Sequence, residues 1–188
     1  MHSRKPVIAS LNRLMAFAQW VRVRRMIEEI AREPKQTFWN MTMNLLFDMA
    51  TIEWVMVFGS HSQDTHWKKV IAADQHDETH AALLKHLGMT AAEWRAARDS
   101  IVTYRNEHVA HHDVKSRLRN LPHYDAALKA AFFMFKRIRA LADPGWLGEI
   151  PTDLDRWSNT VAGNMSAIVR KAHKATATLP SNVRGIAS

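Results

Sequence analysis

The segment from Tyr104 to Asp113 holds the side chains of this chain that are best suited to chemistry. It reads Tyr-Arg-Asn-Glu-His-Val-Ala-His-His-Asp, so an arginine and an asparagine stand close to several histidines. Arginine is permanently charged and binds phosphate, and histidine titrates close to neutral pH. These residue types can therefore bind a phosphodiester and move protons around it. The competing interpretation is a polar helix face that is merely solvated.

The spacing of these side chains decides which of them can act together. Successive residues of an ideal α-helix lie about 100° apart, so His108 and His112 lie on the same side as Arg105, whereas His111 does not. Arg105 and His111 can then share a site in two ways. Either the helix is distorted there, or an isologous dimer places the same segment of a second copy alongside, antiparallel to the first.

The composition indicates one globular domain. A chain of 188 residues with 47% hydrophobic residues is long and apolar enough to bury a core. Glycine and proline are scarce, with six of each, which disfavours an all-β fold. Cysteine is absent, which excludes disulfides, thiolate metal sites and thiol catalysis. We expect a cytoplasmic protein that needs no cofactor and no metal.

The charge of the chain points to an anionic partner. The net charge is +8 and the isoelectric point is about 10.1. Positive residues are concentrated in the first helix and after Arg156. Such an excess favours nucleic acid or an anionic membrane surface as the partner, although a basic protein can also simply be well solvated.

The most apolar stretch, from Phe38 to Phe58, raises the question of a membrane span. Asn44, Asp48 and Glu53 interrupt it. Polar and charged side chains at such spacing are costly in a bilayer. We therefore predict a buried core helix rather than a membrane-spanning one.

Hydrophobic periodicity predicts an all-α bundle over residues 1–188 as a single domain. Thr90 to Glu93 forms a capping box, which predicts the start of the helix that carries Arg105. Gly88 is expected to end the helix before it, and Asp143-Pro144-Gly145 to end the helix after it. The predicted helices span residues of about 9–32, 37–58, 77–86, from 91 through the motif, 124–142 and 153–176.

The motif resembles the signature of the HEPN superfamily (higher eukaryotes and prokaryotes nucleotide-binding). In that pattern an arginine and a polar residue precede a histidine after a short gap, as Arg105, Asn106 and His111 do here. The ending Ala-His-His-Asp at 110–113 resembles the abortive-infection branch of the superfamily. Phe58-Gly59 followed by His66-Trp67 resembles that branch as well. The resemblance covers a core of about 38–142, flanked by the basic helix of about 9–32 and the last helix of about 153–176.

This resemblance implies a HEPN-like antiparallel helical bundle that is a metal-independent endoribonuclease. The family's active form is a dimer, in which Arg105 and His111 of both chains share one cleft. RNA carries its own nucleophile, the 2′-hydroxyl, so the protein needs only to move protons and stabilise charge. His111 acts as general acid or base, Arg105 holds the phosphate, and Asn106 positions the phosphate or orients the histidine.

Several further residues are candidates for the same site. His112 also fits the family spacing and shares a helix face with Arg105, but we favour His111 because it follows the small residue Ala110. His108, Asp113 and His66 are secondary candidates. His108 and His112, four residues apart, could bind one metal ion, but no further ligand is evident in the sequence, so we predict no metal.

The resemblance also implies a biological role and partners. We expect a toxin or an antiviral-defence effector that acts on RNA as a homodimer, with a nucleotidyltransferase-type antitoxin as its neutralising partner. A catalytically inactive helical module that binds nucleic acid or a protein is the alternative, because a fold alone never proves an activity. A membrane partner is not expected. The residues expected to contact RNA are Arg22, Arg24, Arg25, Lys68 and Lys69.

Overall fold

The computed structural model describes residues 3–31, 37–110 and 122–179, and this part of the chain is helical without a β-strand. The all-α prediction is therefore confirmed for these ranges. A 3-10 turn, Ala73–Gln75, precedes α4, and a π-helical turn, Arg105–Ala110, follows α5. The helices are α1 (Arg4–Ile30), α2 (Thr37–Phe58), α3 (Trp67–Val70), α4 (His76–Leu87), α5 (Ala91–Tyr104), α6 (Asp125–Ala140), α7 (Pro144–Leu147) and α8 (Leu154–Thr176).

Helix α1 lies at the centre of the bundle and packs against α2, α6 and α8. Its buried face includes Leu11, Leu14 and Phe17, which recur at helical spacing. The helix begins at Arg4, earlier than the predicted start near residue 9. Pro6 does not prevent this, because the first N–H groups of a helix have no partner inside it and proline loses nothing there.

Helix α2 is a core helix whose polar residues find partners in the bundle. Glu53 is only 8% exposed, and its two carboxylate oxygens accept hydrogen bonds from Nη1 of Arg13 in α1 at 3.0 and 2.9 Å. Asp48 accepts a hydrogen bond from Tyr104 at 2.7 Å. Within the described ranges α2 is the one helix long and apolar enough to cross a membrane, and half of its most apolar window is buried.

Aromatic side chains hold α1, α2 and α6 together. The ring of Phe47 stacks on Tyr124 with centroids 4.7 Å apart, and Phe17 meets Tyr124 edge-on at 5.7 Å. The hydroxyls of Tyr124 and Thr51 share a hydrogen bond. Burial raises the pKa of Tyr124. The hydroxyls of Tyr124 and Thr51 thus have a hydrogen-bond partner inside the apolar core. A buried hydroxyl without such a partner would be unfavourable.

The helix ends follow local signals at most positions. Gly88 ends α4 in the left-handed conformation (φ 64°), and its N–H reaches the carbonyls of Leu84 and Lys85. The segment Asp143-Pro144-Gly145 behaves differently from the prediction, since it also begins the short helix α7. Asp143 caps that helix by accepting a hydrogen bond from the N–H of Gly145 at 2.8 Å. A proline at the first helical position favours such a start.

Candidate functional site

The capping box that begins α5 is present as predicted. The side chain of Thr90 accepts a hydrogen bond from the N–H of Glu93 at 3.2 Å, and Glu93 accepts one from the N–H of Thr90 at 2.8 Å. These bonds to Glu93 lower the pKa of its carboxyl. Trp94, Ile101 and Tyr104 then form the buried face of α5. The helix that leads to the motif is thus fixed at its start and along one side.

The part of the motif that the structure describes does not continue α5 as an α-helix. From Arg105 to Ala110 the chain forms a π-helical turn, in which the hydrogen bonds join residues five apart instead of four. Each turn therefore holds more residues than an α-helical turn, and the spacing of about 100° per residue no longer applies. The distortion that the sequence left open as one of two possibilities is present at the start of the motif.

Tyr104 anchors this turn to α2. Its hydroxyl donates to Asp48, and its ring meets the ring of Phe47 edge-on with centroids 5.0 Å apart. Burial and the hydrogen bond to Asp48 raise the pKa of Tyr104, so the phenol stays protonated and keeps donating. The ring of His108 stacks on Tyr104 with centroids 5.3 Å apart and planes 25° apart. The orientation of the His108 imidazole is therefore set by a residue that is itself fixed.

Arg105 and Asn106 form a pair at the beginning of the turn. Nη1 of Arg105 donates to Oδ1 of Asn106 over 2.9 Å. Arg105 is half-buried, while Asn106 is exposed. The asparagine thus contacts the guanidinium, and its predicted contact to the phosphate or to the histidine stays a prediction. Within the described residues its amide N–H group has no hydrogen-bond partner beside the guanidinium.

The other predicted residues of the motif, His111, His112 and Asp113, lie outside the described residues. Their roles remain predictions. What the structure establishes is the position of the preceding segment: Arg105, Asn106 and His108 lie on one short turn at the end of α5, next to α2.

The arginines expected to contact RNA from α1 are each paired with a carboxylate. Arg22 contacts Asp155 of α8 at 2.5 Å and Arg25 contacts Asp125 of α6 at 2.6 Å. Arg24 pairs with a glutamate one turn later in α1, at 3.0 Å. An RNA phosphate would have to compete with these carboxylates, and two of the pairs join α1 to other helices.

Arg24 is the member of this group that approaches the motif. Its guanidinium carbon lies 5.2 Å from the centroid of the Phe47 ring, the ring that also contacts Tyr104. The two lysines expected to contact RNA lie elsewhere, on α3. Lys68 lies over the Trp67 ring at 5.5 Å, and Lys69 pairs with Asp64 at 3.4 Å. The five basic residues therefore do not form one surface around Arg105.

A second group of functional side chains surrounds His66, which the sequence suggested only as a secondary candidate. His66 is 1% exposed and lines a cavity of about 300 Å³ at the beginning of α5. We name this cavity the histidine cleft, after the four histidines that line it: His61, His66, His76 and His80. The remaining lining consists of Phe58, Trp67, Lys68, Asp77, Ala91, Trp94, Arg95 and Arg98.

Little in the sequence indicated this cleft. Its histidines are spread over twenty residues of loop and helix, and its arginines come from α5. The one usable signal was the His66-Trp67 pair. Within the described part of the chain no three histidine or carboxylate side chains form a group suited to hold a metal ion, in the cleft or elsewhere.

Comparison with known proteins finds no match: no family model, no curated protein and no solved structure matches this chain. The functional interpretation therefore depends on the residues themselves. Two regions hold the candidate functional residues: the turn at Arg105, which follows α5, and the histidine cleft near the beginning of α5.

Proposed function

We propose that this protein is a metal-independent endoribonuclease of the HEPN type, with Arg105, Asn106 and His111 at its active site. The observation that carries the proposal is the π-helical turn, which starts at Arg105 and contains the Arg105–Asn106 hydrogen bond. Such turns inside or at the end of α-helices occur frequently at functional sites. A solvated helix face needs neither a change of helix type nor an oriented guanidinium.

The reaction follows from the chemistry of RNA and of these side chains. A histidine, His111 in our assignment, removes the proton of the 2′-hydroxyl, whose oxygen attacks the adjacent phosphorus. The bond from phosphorus to the 5′-oxygen breaks, and that oxygen leaves as a 5′-hydroxyl after it takes a proton from a protonated histidine or from water. The other product is a 2′,3′-cyclic phosphate. Proton transfer by one positioned side chain contributes about 10²–10⁴-fold to the rate.

Arg105 stabilises the charge that grows on the non-bridging phosphate oxygens. A guanidinium matches two phosphate oxygens at once, and its charge does not depend on pH. With Nη1 directed to Asn106, the guanidinium enters the reaction already oriented. Preorganised donors of this kind are usually a large contribution to catalysis.

The dimer belongs to the same proposal. An apolar patch of α2 is exposed at Phe38 (63%), Met41 (65%) and Leu45 (62%). One turn later, the same side of the helix carries Asp48, the hydrogen-bond partner of Tyr104. A second copy that covers this face would lie close to the turn at Arg105. The remaining parts are a cytoplasmic location, a toxin or defence role, and neutralisation by a nucleotidyltransferase-type antitoxin.

Cleavage of RNA in the presence of EDTA tests the proposal. Purified wild-type protein is compared with the Arg105→Ala and His111→Ala variants, and with Arg170→Ala as a control at an exposed position of α8. We expect the wild type and the control to cut, and to leave 3′ ends that accept a ligated adaptor only after the cyclic phosphate has been removed.

Two results would contradict the proposal. If the Arg105→Ala and His111→Ala variants cut RNA as fast as the wild type, the active site is elsewhere. If none of the four proteins cuts RNA but all bind it, the alternative of a catalytically inactive nucleic-acid-binding module is favoured instead.

A further inference from the structure

The histidine cleft is a second site, separate from the turn at Arg105. Arg95 and Arg105 lie on one helical run, ten residues apart. At the rise of an α-helix this separation is about 15 Å. The cavity of about 300 Å³ is at the lower end of the size range of small-ligand sites.

His66 offers an unused donor to this cleft. Its Nδ1 accepts a hydrogen bond from the backbone N–H of Lys68 at 3.2 Å, so the proton of the neutral ring is on Nε2. The side chain is 1% exposed, and within the described residues Nε2 has no hydrogen-bond partner. A ligand in the cleft that His66 lines can accept this proton.

The protonation state of His66 is set by its surroundings. Burial is the main cause, and the nearby His61, Arg98, Lys68 and His76 add to it; together they lower the pKa of His66 from 6.5 to about 3. The ring is therefore neutral near pH 7 and donates through Nε2 alone.

The rim of the cleft is positively charged. Arg95 is exposed and makes no ion pair or hydrogen bond within the described part of the chain. The ammonium group of Lys68 lies over the face of the Trp67 ring and makes no ion pair or hydrogen bond with the other described residues. One carboxylate, that of Asp77, also lines the cavity. The available cations therefore outnumber the carboxylate, which favours an anionic ligand.

Arg98, unlike Arg95, is already engaged in hydrogen bonds within the protein. Its Nε donates to the carbonyl of Phe58 at 2.8 Å and its Nη2 to that of Gly59 at 2.7 Å, while Nη1 contacts Asp99 at 2.9 Å. It therefore ties α5 to the end of α2 and gives the cleft a fixed wall. His76 also has a partner within the protein, because its Nε2 donates a hydrogen bond to the carbonyl of Ile71 at 2.9 Å.

We propose that the histidine cleft binds a phosphate group through Arg95, Lys68 and the Nε2–H of His66. The aromatic rings of Phe58, Trp67 and Trp94 offer an apolar wall to the organic part that the phosphate carries. The phosphate is either one of an RNA strand that also reaches Arg105, which rests on the proposed ribonuclease function, or that of a free nucleotide, which does not.

Binding measurements with two probes test this site. The first probe is a short fluorescent DNA strand, which lacks the 2′-hydroxyl and stays intact; the second is adenosine 5′-monophosphate, with inorganic phosphate as competitor. The variants are Arg95→Gln and His66→Asn, and Arg170→Gln is the control with the same loss of charge. Asparagine at 66 can still accept the hydrogen bond from Lys68, but its side chain is too short to place a donor where Nε2 of the histidine lies.

We expect Arg95→Gln and His66→Asn each to weaken phosphate binding about tenfold, and the control to bind like the parent. If an RNA strand is the source of the phosphate, Arg95→Gln also makes the slope of log affinity against log salt concentration for DNA less steep, by about the contribution of one phosphate contact. If a free nucleotide is the source, only the monophosphate loses affinity. Thermal melting shows whether His66→Asn is folded, and Arg95→Gln, at an exposed position, tests the site independently.

The site is refuted if Arg95→Gln and the folded His66→Asn bind both probes as tightly as the parent. The same is concluded if neither probe binds the wild type. A failure of the ribonuclease proposal looks different: RNA is not cut, or is cut equally by Arg105→Ala, while the cleft variants still lose phosphate affinity.

Discussion

The two ends of α5 place functional side chains in opposite ways. At its end, the turn at Arg105 takes its residues from one short contiguous segment, and Asn106 is exposed. Near its beginning, the histidine cleft combines α5 with α3, α4 and the loop after α2, and His66 is buried. A contiguous motif can be recognised in a sequence, whereas a cleft assembled from separate elements becomes visible only after folding.

The difference extends to electrostatics. In the turn, a half-buried arginine is oriented by a neutral amide and keeps its charge accessible. In the cleft, burial keeps His66 neutral and leaves the charge to Arg95 and Lys68 at the rim. The turn is suited to stabilising charge that develops during a reaction, and the cleft to holding a charge that is already present.

The largest expected effect is a loss of RNA cleavage that distinguishes the turn at Arg105 from the histidine cleft. Arg105→Lys keeps the positive charge but loses the planar fork, so we expect RNA cleavage to fall by about 10²–10³-fold. The measurement is the initial rate of cleavage in EDTA. Affinity of the cleft for adenosine monophosphate should be unchanged; an equal loss of affinity would mean that the two ends are a single site.

The second prediction concerns pH and the buried histidine. The folded protein holds His66 neutral down to about pH 3, whereas an unfolded chain protonates it below about 6.5. Between these values the unfolded state binds the extra proton, so the stability due to His66 falls as pH falls, by about 1.4 kcal/mol per pH unit. Urea unfolding from about pH 7 to about pH 5 measures this slope.

His66→Asn is the matched variant for that measurement. Asparagine does not titrate, so the unfolding free energy of the variant should lose the part of the pH dependence that is due to His66. An identical pH slope in the variant and the wild type would show that His66 is not held neutral by the fold.

The third prediction tests the anchor of the turn. Tyr104→Phe removes the hydrogen bond to the carboxylate of Asp48 and keeps the ring that contacts Phe47 and His108. Hydrogen bonds to charged groups contribute about 1.5–3 kcal/mol, so we expect a loss of this size in chemical denaturation, together with slower RNA cleavage.

Asp48→Asn is its control, because an amide oxygen still accepts from Tyr104. It should lose less stability than Tyr104→Phe. A Tyr104→Phe protein with wild-type stability and activity would show that the turn does not depend on this anchor.

The smallest expected effect is at the start of α5. Thr90→Ala removes the side-chain acceptor of the capping box, which costs about 1 kcal/mol. Thermal unfolding measures the change. Because the cap lies near Arg95 and the cleft, phosphate affinity should fall more than the rate of RNA cleavage. A larger fall in cleavage would show that the start of α5 supports the turn at Arg105 more than the cleft.

Much of the fold was predictable because its signals are local. The capping box at Thr90, the end of α4 at Gly88 and the end of α2 at Phe58 each depend on a few neighbouring residues. The segment at Asp143-Pro144-Gly145 was less clear, since the same residues that end one helix can cap the next. Whether the helix is distorted at Arg105 stayed open in the sequence, because periodicity does not encode the helix type; the structure has a π-helical turn there.

The sequence by itself determined that the described chain is helical and that Arg105, Asn106 and several histidines belong to one segment, because periodicity, caps and spacing act over a few residues. Tertiary structure decided what those side chains meet. It joined Arg98 to Phe58 and Gly59, Arg25 to Asp125 and Tyr104 to Asp48, across separations of 39 to 100 residues. Such contacts form only when the whole bundle packs, and they created both the anchored turn and the histidine cleft.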